Sequence, residues 1–571
     1  MCGIFFSIGF ENLPSAVIDS VKHRGPDGRG WNEFTSPQGP VVMAHRRLAI
    51  VDLSDDGHQP MMSEDGRYWV TYNGEIYNYL EMREELKEAG YIFITQTDTE
   101  VLLKSYLHWG PDCLNKFNGM FSFVIWDDKH KKAFAARDRF GVKPLYYYRQ
   151  GDKIAFASEI KQFKHFPNWK SYLNQELASF YKSQGYCDHS HETLYKNVFQ
   201  ILPGHLATLE RGTFYVSQWY NISDRIDELK LTDNQACKNF MELFESSINL
   251  RLRSDVAVGA CLSGGLDSSS IVSVIRKLKP DMEINTFSAV FPNDKVDESF
   301  YIDELVTSKK LISHKNHPSF EQFLKDLDQI LYHQDLPFPG TSIFAQWMTF
   351  QSARKNSVTV LLDGQGADET LLGYPSMLNG ISFDYAKKMQ LKNLVSFFKW
   401  QSKFNNQDLK TTIVLGLQQR YFDAYRVLLS LTNRKTEQKL SSLKSITDVC
   451  FYYLSNNFQS LLRYEDRNSM AFSIESRLPF LDYRLVEFIL SLHINQRFRD
   501  NTTKWVLRKS MNDINIDEIL DRKDKIGFAT PEQDWSNHIP NSSKNFSEFI
   551  FNRWVKNENF VKSNVKILKI C

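Results

Sequence analysis

The stretch CLSGGLDSSS (261–270) joins an apolar run, DVAVGACL (255–262), to an amphipathic one, SSSIVSVIRKLK (268–279). The first has the length and composition of a buried strand, and the second has helical spacing. A glycine turn between such elements places unpaired N–H groups of a helix N-terminus where an anion can reach them. Gly264 and Gly265 allow close backbone approach, and Ser263, Ser268 and Ser269 add hydroxyl donors. Asp267 has the same sign of charge as a phosphate, so its place in the loop implies a magnesium ion between them. The string is not the GxxxxGK[ST] loop. A Gly-Ser turn with capping serines is the alternative. The position at the C-terminal end of a strand, where open α/β sheets bind ligands, favours the phosphate loop.

Outward from this loop, strand and helix patterns alternate. INTFSAVF (284–291) and VTVLLDG (358–364) are further apolar strands, and the latter runs into a second glycine turn, GQGAD (364–368). Such alternation predicts an α/β domain with a parallel sheet covered on both faces. We place it at 237–571, with helical additions after residue 380. The first 215 residues differ, with short alternating strands broken by turn signals, as in RYWVTYNGEIYNY (67–79) and PLYYYRQGDKIAFAS (144–158). Two amphipathic helices, 79–90 and 99–110, each end at a glycine. This predicts an α+β domain over 1–215, its largely antiparallel sheets packed face to face, with a polar linker at 216–236.

Sixty-nine basic residues against 68 acidic ones give a net charge of +1, which offers no footprint for nucleic acid or an anionic membrane. No run approaches the ~18 apolar residues of a membrane span. The seven cysteines have no repeated or metal-ligand spacing. They point to a reducing compartment, and the expected location is cytoplasmic. Small-molecule substrates are the expected partners, and a homodimer is compatible with the sequence.

SGGLDSS (263–269) resembles the pyrophosphate loop of the ATP-pyrophosphatase families, which cut ATP between its α and β phosphates to form an acyl-adenylate. With the motifs that precede it, the chain resembles the glutamine-hydrolysing asparagine synthetases from residue 1 to about 535. The resemblance implies an αββα N-terminal nucleophile sandwich followed by the synthetase domain. In MCGIFFSIGF (1–10) it makes Cys2 the nucleophile after removal of Met1, with the freed α-amine as base. An α-amine with a pKa of about 8 suits that task. NGEIYN (73–78) supplies Asn73 and Gly74 as oxyanion donors and Glu75 as a further glutamine contact. Arg47 in HRRL (45–48) matches the arginine that holds the glutamine carboxylate, and Asp98 in TQTDTE (95–100) the acid that holds its ammonium. Asp98 also stands where it could cap the helix that follows. HRGPDG (23–28), GMFSF (119–123) and RDRFGVKPLYY (137–147) match as scaffold.

In the second half, DGQGADE (363–369) matches the second nucleotide motif. It implies Asp363 and Gly364 at ATP and Asp368 as the second magnesium ligand beside Asp267. The same resemblance implies that Leu262 and Val290 border the adenine and that Lys523 in DRKDKIGF (521–528) falls on the pyrophosphate. MAFSIESRLPFLD (470–482) is expected to buttress the acceptor pocket. The implied reaction converts aspartate, ATP and glutamine to asparagine, AMP, pyrophosphate and glutamate. Two departures stand out. Gln365 occupies the place of a glutamate in some relatives, and an amide cannot accept a proton at neutral pH. DLPFPG (335–340), ahead of TSIFAQW (341–347), lacks an arginine found in relatives for the acceptor carboxylate, and Arg354 falls on a helix pattern beyond it. The alternative is therefore the same chemistry on another carboxylate, such as a sugar uronate or a secondary metabolite.

Overall fold

A computed structural model of the chain describes residues 1–378, 381, 391–404, 445–522, 529–539, 543 and 545–561. The N-terminal half contains twelve strands: β1 (Gly3–Ile8), β2 (Gly28–Ser36), β3 (Gly39–Arg47), β4 (Met61–Met62), β5 (Tyr68–Ile76), β6 (Gly119–Asp127), β7 (Lys132–Arg137), β8 (Tyr146–Gln150), β9 (Lys153–Ala157), β10 (Val198–Gln200), β11 (His205–Glu210) and β12 (Thr213–Gln218). They form two six-stranded sheets, ordered β10-β8-β9-β1-β3-β2 and β12-β11-β7-β6-β5-β4.

Alternation along each strand explains the layering. Ile4, Phe6 and Ile8 of β1 meet Val124 and Trp126 of β6 and Ala133 and Ala135 of β7 between the sheets. Phe5 points the other way, into a core shared with Ile160, Phe163 and Tyr181. The outer face of the second sheet, through Val70, Tyr72 and Phe123, packs on Met82 and Leu86 of the helix Tyr79–Glu88 and Val101 and Leu102 of the helix Asp98–Trp109. The result is a helix–sheet–sheet–helix sandwich, so β1, directly behind the candidate nucleophile, is buried on both faces.

Between β12 and the helix Asp233–Arg251 lie residues 219–232. A capping box starts that helix: Thr232 Oγ1 accepts from the Gln235 N–H, and the Gln235 side chain accepts from the Thr232 N–H. Five parallel strands follow, β13 (Val258–Cys261), β14 (Asn285–Ala289), β15 (Ile312–Asn316), β16 (Val360–Leu362) and β17 (Glu475–Arg477), in the order β15-β14-β13-β16-β17. The strand order reverses beyond β13, and both glycine turns leave the C-terminal edges of neighbouring strands, β13 and β16, at that switch point.

The two halves meet through buried charge. Arg24 has no exposed surface. Its guanidinium donates to Glu159 at 2.9 Å and to both oxygens of Asp466, at 2.8 and 3.0 Å. Asp466 lies on the helix Asn457–Ala471 of the second half, whose Ser460 and Arg463 also reach back, at 2.5 and 3.0 Å, to Asp188. Arg24→Ala strands two buried carboxylates, and the expected cost is about 3–5 kcal/mol. Thermal unfolding followed by circular dichroism should show a midpoint several degrees lower, and Arg24→Lys should not restore it, because one ammonium cannot reproduce the fork.

Candidate active sites

Cys2 stands at the start of β1, 7% exposed, in a cavity of about 30 Å³ lined by Arg47, Gln59, Tyr72, Gly74, Glu75, Asp98 and Glu475 among others. The structure therefore brings together all the glutamine-site residues expected from the sequence. The Cys2 N–H donates to Asn73 Oδ1 at 2.9 Å, and Arg24 Nε donates to the Cys2 carbonyl at 2.9 Å. Asn73-Gly74 lies inside β5 rather than in a hairpin turn. A Cβ on Gly74 would stand 2.2 Å from the Met120 carbonyl oxygen of β6, so the strand can pass there only as glycine. Burial pushes the Cys2 thiol up, against the nearby α-ammonium and Arg47. A nucleophile in that state needs a base.

Arg47 ends β3, and the 52–57 loop holds its guanidinium: it donates to the Ser54 carbonyl at 2.5 Å and to that of Asp52. Gly57 packs against it so closely that a Cβ would stand 2.1 Å from Nη2. Asp98 does not cap its helix. Thr97 does, accepting from the Glu100 N–H, because Asp98 already has helical geometry and turns inward. There its carboxylate accepts from Tyr72 Oη at 2.8 Å and the Ile76 N–H at 2.9 Å. Burial raises the Asp98 pKa and those two donors lower it, leaving it at about 6. Glu75 is also buried, which pushes its carboxyl well up, and its Oε1 has no hydrogen-bond partner among the described residues. An unpaired buried acceptor beside Asp98 fits an incoming ammonium.

One wall of this cavity comes from the other half of the chain. Met1's α-ammonium donates to Glu475 Oε2 at 3.0 Å, and Arg477 Nη2 lies 3.6 Å from Glu75. Burial would raise Glu475, but the α-ammonium and Arg477 outweigh it and hold its carboxyl down at about 2. The segment 470–482, expected to buttress an acceptor pocket, thus reaches the glutamine pocket through β17.

The second site gathers at the ends of β13 and β16. Gly264 takes φ +81°, and a serine pair closes the loop, with Ser263 N–H donating to Ser268 Oγ at 3.2 Å. Gly265 opens the helix Leu266–Leu278 without a side-chain cap. Ser269 is buried in the first turn. Leu262 and Val290 follow β13 and β14, both buried. Asp363 ends β16, and its Oδ1 accepts from the Gly364 N–H at 2.5 Å. A Cβ on Gly364 would stand 3.1 Å from that of Asp267, which places the two glycine turns in contact.

Asp267 and Asp368, the expected metal ligands, converge. Lys504 Nζ lies 2.5 Å from Asp267 Oδ2 and 2.6 Å from Asp368 Oδ1. Two carboxylates that already share one cationic atom fit a divalent cation. Among the described residues no cluster of three or more metal-ligating side chains occurs, so a cation here would complete its shell with phosphate oxygens and water. Lys504 was missed in the sequence: NTTKWVLRKS (501–510) has no motif character, and the lysine sits at φ +56° just before a short helix. Lys523 lies outside the described residues. Its neighbour Arg522 donates to the Gly264 carbonyl at 3.2 Å, pairs with Glu298 at 2.5 Å and stacks on Tyr301. Arg354 is exposed on the helix Ser342–Lys355.

A buried cysteine beside Asn73 and Gly74 in one half and two glycine turns at the ends of parallel strands in the other are the arrangement expected of a glutamine amidotransferase joined to an ATP-using synthetase. Comparisons with known proteins agree. Residues 1–220 match the glutamine amidotransferase domain model, and 239–564 match the asparagine synthase model. Asparagine synthetases (glutamine-hydrolyzing) 1 and 3 of Bacillus subtilis are each 30% identical over 96% of this chain, covering 86% and 89% of their own lengths. Amidase chry2 of Gibberella zeae is 24% identical over 95% of this chain and 88% of its own. The chain belongs to the glutamine-hydrolysing asparagine synthetase family.

The raised Asp98 carries a kinetic consequence. Once protonated it cannot pair with an ammonium, so the glutaminase KM for glutamine should rise as pH falls through about 6, with kcat changing less. Asp98→Asn should give a high KM that no longer varies with pH over that range. Initial rates of glutamate release against pH measure both.

Proposed function

We propose that the chain converts aspartate to asparagine, with glutamine as nitrogen donor and ATP cleaved to AMP and pyrophosphate. The observation that carries this reading is that β17 contributes to both sites: Glu475 lines the glutamine cavity, while the Arg477 carbonyl accepts from Asp363 N–H at 2.9 Å beside the phosphate loop.

In this reading removal of Met1 makes the Cys2 nitrogen a free amine, and that amine takes the thiol proton. The thiolate attacks the glutamine amide while Arg47 holds the α-carboxylate and Asp98 and Glu75 hold the α-ammonium. Asn73 and Gly74 bear the oxyanion. Ammonia then passes between the halves without meeting bulk water. At the second site the 263–269 loop cradles ATP and Asp363 and Gly364 border it. Asp267 and Asp368 would hold magnesium, which when bound neutralises the phosphates. Lys504, with its charge between those acids, stabilises the departing pyrophosphate. The names of the Bacillus subtilis relatives support aspartate as acceptor.

One observation favours a different carboxylate. Glu532 accepts from Thr341 N–H at 3.1 Å and Thr341 Oγ1 at 3.2 Å, so an acid lies against the residue that follows DLPFPG, where an acceptor carboxylate would need a cation. The described cysteines are unpaired thiols, in keeping with a reducing, cytosolic setting, and among the described residues no helix is long and apolar enough to cross a membrane.

Exchange of labelled pyrophosphate into ATP, run across a panel of carboxylates, tests the acceptor. Aspartate is expected to support exchange, and exchange with another carboxylate in its place would replace it. Cys2→Ala should lower glutamine-dependent synthesis by at least about 10³-fold while ammonium still supports it. Intact mass of active protein should lack Met1.

A further inference from the structure

Arg47 has more N–H donors than the loop around it takes up. Nη1 and Nη2 each give one to a backbone carbonyl, those of Ser54 and Asp52, and the others are left for a carboxylate in the cavity that Arg47 lines. Asp52 stands at φ +60°, a left-handed conformation that aspartate visits more readily than most side chains. Its own carboxylate braces the loop. Oδ1 accepts from the Ser54 N–H at 3.1 Å and from Ser54 Oγ at 2.6 Å, and Oδ2 accepts from the Gln96 N–H at 2.8 Å. Gln96 lies two residues before Asp98. One residue therefore touches both the loop that holds Arg47 and the segment that carries Asp98.

Asp52 is itself held from the other half of the chain. Its N–H donates to Asp255 Oδ2 at 2.8 Å, and the Asp255 N–H donates to the Ile50 carbonyl at 3.0 Å. Two anchor points on either side of Val51 fix the orientation of that backbone as well as its position. Asp255 lies three residues before β13, the strand that runs into the 263–269 loop. The same turn also reaches Glu75. The carbonyls of Arg251 and Arg253 accept from Arg477 Nη1 at 2.7 and 2.6 Å, and Arg477 Nη2 lies 3.6 Å from Glu75. Residues 251–255 thus bear on Arg47, Asp98 and Glu75 together, although none of them lines the Cys2 cavity.

We propose that Asp255 is a positioning residue for glutamine. Through Asp52 it holds Arg47 where the guanidinium meets the substrate α-carboxylate, so the glutamine pocket takes its working form from the synthetase half. The inference rests on the glutaminase reading of the Cys2 cavity given above. Without the Asp255 carboxylate, the Asp52 N–H loses its partner and the left-handed backbone loses a support. The Asp52 carbonyl then no longer fixes one arm of Arg47. The guanidinium must be ordered when glutamine binds rather than beforehand, which weakens binding. The Cys2 backbone is held separately, by Asn73 and Arg24, so the chemical step keeps its geometry.

The test uses the full chain and measures glutamate release from glutamine. Asp255→Ala should raise KM about fivefold while kcat stays within about twofold of wild type. Asp255→Asn keeps an acceptor oxygen, and its KM should stay within about twofold of wild type. In an Arg47→Lys background, Asp255→Ala should raise KM by less than about twofold, because the fork it positions is gone. A general loosening of the interface would not be relieved by asparagine and would not depend on Arg47. The link itself is read by hydrogen–deuterium exchange of a peptide spanning 49–55, whose uptake should rise in Asp255→Ala and not in Asp255→Asn. Circular dichroism reports folding; if Asp255→Ala is not folded, Asp255→Ser, one bond too short to reach the Asp52 N–H, takes its place. An unchanged KM or unchanged uptake in the alanine variant would overturn the proposal. So would a rise in KM that asparagine does not relieve, or one that persists undiminished with Arg47→Lys. A wild-type chain that releases no glutamate from glutamine would instead remove the glutaminase reading, while the exchange measurement still reports whether Asp255 holds the loop.

Discussion

Arg24 carries a positive charge into the join between the two halves with no exposed surface of its own. An unpaired buried charge costs several kcal/mol, so its partners cannot move away independently. Those partners are the Cys2 carbonyl, Glu159 of the same half and Asp466 of the other. One guanidinium therefore ties the backbone of the candidate nucleophile to the helix Asn457–Ala471. Arg467 extends the array, at 3.1 Å from Glu159, and Lys143 lies 3.9 Å from Asp466. Opening the interface would strand several charges at once.

The edge strand β17 works in the same join. Its alternation sends Glu475 and Arg477 toward the glutamine cavity and Ser476 toward the phosphate-loop side. A helix in that place would not separate consecutive residues so sharply between two sites. Two buried acids beside this strand also differ. Burial raises both carboxyls, but the α-ammonium and Arg477 hold Glu475 down at about 2, whereas the charge of Asp363 pushes Glu465 further up. The difference arises from partners rather than from depth of burial, since both are fully enclosed.

Much of this was legible in the chain. SGGLDSS announced its turn because glycines, serines and the following helix are neighbours in sequence, and alternation in the first half announced the sandwich. Asn73, Arg47 and Asp98 were found through short motifs that resemble a family. What escaped was of another kind. Lys504 has no local signature, and its meaning comes from two aspartates far away in sequence. Thr97 rather than Asp98 caps its helix because Tyr72 and Ile76 draw Asp98 inward, which no local rule reveals. The segment 470–482 was expected at the acceptor and supplies a wall of the glutamine pocket, since strand pairing with β16 sets where it lies.

The sequence by itself determined the two-part organisation, the parallel sheet, the glycine turn after β13 and the short motifs around Cys2. These depend on turn chemistry and periodicity, which act over a few residues. Only the tertiary structure decided how charge is neutralised: Arg24 on Asp466 across 442 residues, Arg463 on Asp188, Lys504 between two acids. A buried ionisable group takes its protonation state from whatever the fold places against it, and that neighbour has no fixed spacing along the chain.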